Sequence, residues 1–145
     1  MLRSLLTTFT ALAQGTAPAQ KAAVAYKALT QALNLDSNVG GNFKSEITEK
    51  LNAVAPKAAV AFVAQKDYGN ARTAYLTAQR AGSSDANLAI VKQKLESFAS
   101  ELYALASAES TSNPGPAKEK LKQIKQIVDP KSPTYVKAQA LLNKL

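Results

Sequence analysis

The chain has 145 residues, with 18 basic and 10 acidic side chains and a formal charge of +8, and it contains neither cysteine nor histidine. The lack of cysteine excludes a disulfide framework and a thiol nucleophile, and the lack of histidine removes the best proton-transfer group near neutral pH. Hydrophobic residues make up 46% of the chain, which excludes a disordered tail and suits one domain over residues 1–145, either alone or within a longer protein.

The first predicted element is a helix over about residues 2–14. Its large apolar side chains share one face: Leu2, Leu5, Leu6, Phe9 and Leu12. The same residues also fit an export signal, with Arg3 at the positive end and a cleavage site before Gln14. We favour the packed helix, because the apolar run is short and is interrupted by threonines. The compartment stays open, with the cytoplasm slightly favoured.

A second helix is predicted from Pro18, with Tyr26 and Leu29 on its apolar face, and residues 36–41 form a turn-rich connector. Asn42 is the expected N-cap of the next helix, whose apolar side chains recur every three or four residues as far as Phe62. Pro56 interrupts that pattern, and we expect a kink or a break there, because proline costs a helix interior roughly 3 kcal/mol.

Residues 55–82 predict two short helices folded back on each other. The turn lies at Lys66 and Asp67, Asp67 caps the second helix, and Gly82 ends it. Small residues at the expected helix crossing alternate with large ones that fill the gaps around it: Ala59, Phe62, Tyr68, Ala71, Tyr75 and Ala78. A hairpin of this kind normally needs a stacked neighbour to bury its apolar face.

Three more helices complete the chain. Asp85 caps a long helix with an apolar stripe at Leu88, Val91, Leu95, Phe98, Leu102 and Leu105. A lysine-rich helix runs from Pro116 to about residue 128, with Leu121, Ile124 and Val128 facing inward. Ser132 and Pro133 open a final helix that is expected to bury Tyr135, Ala138, Leu141 and Leu142. Because no segment shows strand periodicity, we predict an all-α fold of seven or eight helices.

A weak internal repeat indicates stacking. The segment AAVAYKAL from Ala22 matches ARTAYLTA from Ala71 and AKEKLKQI from Ala117, so that Tyr26 corresponds to Tyr75 and to Leu121. Each copy follows a turn, at the place where the second helix of a hairpin would begin.

Over residues 55–82 the chain resembles a tetratricopeptide repeat, which places small residues at the crossing of its two helices and aromatic residues around them. Three positions depart from the family pattern: Ala55, Lys66 and Ser83. Weaker matches lie at 17–34 and 86–145, where the last helix would cap the array. The resemblance implies a tetratricopeptide-like α-solenoid of antiparallel hairpins whose first helices line a concave groove that binds a peptide or a partner helix.

We therefore expect a non-catalytic, cofactor-free scaffold that binds another protein or peptide, acidic ones included, and no small-molecule substrate. Glu46 and Glu49 are the only acids within one helical turn of each other, and their lysine neighbours indicate a solvated face rather than an acid pair. No phosphate-binding loop is present. The candidate contacts are polar residues outside the predicted core: Lys57, Gln65, Asn87, Lys92 and Lys94.

The alternative is an anionic-surface binder. Residues 117–145 hold seven lysines against two acids, and four of the lysines lie on one short helix: Lys118, Lys120, Lys122 and Lys125. Nucleic acid or a membrane surface is the less favoured partner, because no aromatic residues are interleaved with the lysines and the apolar stripe is expected to be buried. Self-assembly through the helix at 2–14 is a further alternative.

Overall fold

The computed structural model describes residues 19–145. Within that range every regular element is an α-helix, as predicted, and there is no strand. The six helices are α1 (Ala19–Asn38), α2 (Lys44–Ala64), α3 (Tyr68–Arg80), α4 (Asn87–Glu109), α5 (Pro114–Ile127) and α6 (Pro133–Leu142). The predicted helix at 2–14 lies outside the described residues, so the expected total of seven or eight helices is not tested there.

The chain divides into two compact units, one ending at Val91 and the other formed by Lys92–Leu145. The division falls inside α4, whose first turn belongs to the first unit and whose remainder belongs to the second. Each unit is described by itself below.

In the first unit, α1 packs against α2, and α2 packs against α3. The ring of Tyr26, near the start of α1, meets the ring of Phe62, near the end of α2, edge-on at 6.0 Å between centroids. Because a residue near the start of α1 contacts one near the end of α2, the two helices run antiparallel. The hydroxyl of Tyr26 lies 2.7 Å from Thr77 Oγ1 on α3, so one side chain touches both neighbouring helices. Burial raises the pKa of Tyr26, and the Thr77 hydrogen bond and the charge of Arg80 offset part of that rise.

Helices α2 and α3 bury many alanines. Seven alanines of these two helices are between 0 and 1% exposed: Ala55, Ala58, Ala59, Ala61, Ala71, Ala74 and Ala78. A methyl group lets two helix backbones approach closely, whereas any longer side chain holds them apart. Ala59, Ala71, Phe62 and Tyr75 are buried as expected, and the place of the two alanines at a helix crossing stays a prediction.

Pro56 does not break its helix. Residues 44–64 form one continuous helix, in which Pro56 is buried. Proline removes one backbone hydrogen bond, but packing of its ring in the core offsets part of that loss. Of the two predicted outcomes, the break is therefore absent, and the kink stays a prediction.

The connection between α1 and α2 also differs from the prediction. Helix α1 continues to Asn38, through the first half of the expected connector, and α2 begins after Phe43 rather than at an Asn42 cap. The side chain responsible is Asp36, which is completely buried. Its Oδ1 accepts a hydrogen bond from the Phe43 backbone N–H at 3.0 Å, and its carbonyl accepts one from Gly41 N–H at 2.7 Å. Asp36 thus takes the place of a local N-cap, because it accepts hydrogen bonds from two backbone N–H groups of the loop between α1 and α2.

We expect Asp36→Ala to lower the free energy of unfolding by about 1 kcal/mol, because Phe43 N–H and the loop lose their side-chain acceptor. Urea denaturation followed by far-UV circular dichroism measures the change. Ser37→Ala is the matched control, since Ser37 is the exposed neighbour and its hydroxyl donates to Leu33 O within α1. Equal stability of the Asp36 and Ser37 variants would show that the loop does not depend on the carboxylate.

Helices α2 and α3 end in the same way. After α2, Lys66 N–H donates to Val63 O and Asp67 N–H donates to Phe62 O, at 3.0 and 2.8 Å. After α3, Gly82 N–H donates to Gln79 O and Ser83 N–H to Ala78 O, both at 3.0 Å. This pair of bonds is the Schellman motif, which requires a left-handed residue in its middle. Gly82 provides it with φ of 73°, as predicted, but Lys66 provides it with φ of 59° at the cost of a strained Cβ.

Lys66→Gly is accordingly expected to stabilise the protein by about 1 kcal/mol, because glycine adopts a positive φ without that strain. Gly82→Ala, at the equivalent position after α3, is expected to destabilise it by about the same amount. Both shifts are read from the midpoint of urea denaturation. A Lys66→Gly protein that is less stable than the wild type would contradict this account of the turn.

Asp67 and Asp85 act as predicted at the starts of α3 and α4. Asp67 Oδ1 accepts from Asn70 N–H at 3.3 Å, and Asp85 Oδ1 accepts from Asn87 N–H at 2.9 Å. Both carboxylates satisfy backbone donors that have no partner inside their helix.

In the second unit, polar contacts tie α4 to the two helices that follow it. Ser132 Oγ donates to Glu96 Oε2 at 2.7 Å, and Lys120 Nζ donates to Glu109 Oε2 at 2.6 Å. Ser132 also caps α6, accepting from Thr134 N–H at 3.2 Å, which confirms the predicted helix start. The lysine-rich helix α5 begins at Pro114, two residues before the predicted Pro116, because Pro114 already occupies the first helical position.

Burial in the second unit confirms some of the predicted stripes and corrects others. Leu121, Ile124 and Val128 are buried, as expected for α5. On α4, Leu105 is 52% exposed and Phe98 is half-buried, whereas Ala99 and Ala106 are completely buried. The buried face of α4 includes alanines at these positions, so the pattern of large apolar side chains does not identify that face. On α6 only Ala138 is buried, and Tyr135, Leu141 and Leu142 are half-buried, contrary to expectation.

Candidate interaction surfaces

An open polar depression of about 640 Å³ lies beside the first half of α2. It is lined by small polar and charged residues: Gly41, Asn42, Lys44, Ser45, Thr48, Glu49 and Asn52. The lining contains amide, hydroxyl and carboxylate groups together, so it offers both hydrogen-bond donors and acceptors. Glu46, just outside it, pairs with Lys50 at 3.3 Å, one turn away on the same helix. Glu46 and Glu49 are both exposed, and Glu46 belongs to an ion pair with a lysine neighbour.

The predicted partner contacts are divided between the two units. Lys57, Gln65 and Asn87 belong to the first unit, and Lys92 and Lys94 belong to the second. Lys57, Gln65, Lys92 and Lys94 are exposed, whereas Asn87 is half-buried and donates its backbone N–H to Asp85. Lys92 and Lys94 are two residues apart on α4, and side chains at that spacing lie on nearly opposite sides of a helix.

The lysine face of α5 is partly neutralised by acids of the same chain. Lys120 pairs with Glu109 at 2.6 Å and Lys122 pairs with Glu119 at 2.8 Å. Lys125 Nζ lies 5.6 Å from the centre of the Tyr135 ring, which holds its charge over an aromatic face. Lys118 is half-buried. A second depression, of about 420 Å³, runs along the same helix and is lined by Pro116, Glu119, Lys120, Lys122, Gln123 and Gln126.

Two exposed apolar features were not predicted. Val24 and Leu35 lie on the outer side of α1, opposite its buried face, and are 61% and 56% exposed. Val136 on α6 is 58% exposed, and its neighbours one turn further along the helix are Gln139 and Ala140. The sequence does carry a signal for the first feature, since Val24 and Leu35 are eleven residues apart and fall outside the stripe that contains Tyr26 and Leu29.

Across residues 19–145 no group of three or more acidic side chains lies in a position to hold a metal ion. None of the helices in that range combines the length and the apolar content that a membrane span needs. No model of a protein family matches the chain, and neither a curated protein nor a solved structure shows significant similarity to it.

Proposed function

We propose that the chain is a non-catalytic scaffold of stacked helical hairpins, tetratricopeptide-like, that binds a peptide or a partner helix of another protein. The observation that carries the proposal is that α2 and α3 pack against each other, bury seven alanines completely or nearly so, and each end in a Schellman motif. Buried methyl groups allow helices to stack closely, and they supply no reactive group. Stacked hairpins leave one face of successive helices open to a partner.

The polar surface supports the same proposal. Each unit carries exposed lysines, Lys57 on α2 in the first and Lys92 and Lys94 on α4 in the second. A net positive charge favours acidic partners and speeds their association. We therefore place an acidic peptide or an acidic helix first among the partners.

The test is affinity capture with the full chain from a lysate of the source organism, followed by calorimetry with the purified partner. We expect a specific protein partner whose dissociation constant rises at least about tenfold in Lys92→Glu or in Lys94→Glu, because reversing a contacting charge costs more than about 1.4 kcal/mol and the two lysines lie on nearly opposite sides of α4. Lys21→Glu makes the same change in net charge elsewhere. Losses in both α4 variants that are no larger than the loss in Lys21→Glu, or no partner at all, would contradict the proposal.

Anionic-surface binding through α5 is the weaker proposal, because Glu109 and Glu119 already pair with two of its four lysines. Phosphate-driven binding would fall steeply as salt rises. Titration of a single-stranded oligonucleotide at two salt concentrations therefore separates the two functions: affinity that is absent at low salt rules this alternative out.

A further inference from the structure

We draw no further inference here: the strongest candidate, the open polar depression beside the first half of α2, is formed by the N-terminal end of that helix and the loop before it, and nothing else in residues 19–145 points to a ligand there.

Discussion

Phe62→Ala is expected to lower the free energy of unfolding by about 3–5 kcal/mol, the range for removing a fully buried aromatic side chain. Phe62 is completely buried, and its ring meets the Tyr26 ring edge-on and lies 5.4 Å below Lys27 Nζ. Truncation would leave a cavity between α1 and α2 and would remove the aromatic neighbour of Tyr26. Urea denaturation monitored by circular dichroism and by tyrosine fluorescence measures the loss.

Leu105→Ala provides the control, because Leu105 is a large apolar residue that is 52% exposed, and its loss is expected to stay within about 0.5 kcal/mol. Phe62→Leu keeps most of the volume and is expected to restore stability to within about 1.5 kcal/mol of the wild type. If Phe62→Ala unfolds at the same urea concentration as Leu105→Ala, the contact between α1 and α2 does not depend on this ring.

Ala59→Leu is the second large effect, with an expected destabilisation of about 1–3 kcal/mol from overpacking. Ala59 is completely buried on α2, and we expect it to lie at the crossing with α3, where a methyl group lets the two backbones approach closely. The added atoms force α2 and α3 apart or drive neighbouring side chains out of their preferred rotamers. The midpoint of urea denaturation reports the cost.

Ala53→Leu makes the same chemical change on the exposed side of α2, so it controls for helix propensity and for added hydrophobicity. It is expected to be neutral within about 0.5 kcal/mol. A neutral Ala59→Leu protein would mean that α2 and α3 are not in close contact at this crossing, and the stacked arrangement would lose its main support.

Features encoded by neighbouring residues could be predicted from the sequence. The caps at Asp67, Asp85 and Ser132 and the helix end at Gly82 each depend on a backbone conformation that one residue type favours. The buried small residues of α2 and α3 were recognisable because alanine and aromatic residues alternate there at helical spacing. The all-helical structure could be predicted because no segment alternates apolar and polar residues with the period of two that is typical of a strand.

Features that depend on distant contacts could not be predicted. Asp36 reads as a turn residue, yet in the fold it lies inside α1, completely buried, and holds the backbone of Phe43. Pro56 reads as a helix breaker, but core packing overrides its local preference. The candidate surfaces were the hardest feature to predict. Acids elsewhere in the chain determine which lysines are neutralised, as Glu109 does for Lys120, eleven residues away.

The buried alanines of α2 and α3 also affect how stability depends on temperature. Alanine loses no side-chain conformational entropy on burial, so each buried methyl group has little ordering to offset. It also hides little apolar area from water, and the heat-capacity change of unfolding grows with that area. With many alanines in its core, the protein should therefore have a broad, shallow curve of the free energy of unfolding against temperature. Warming and cooling then alter the folded population gradually.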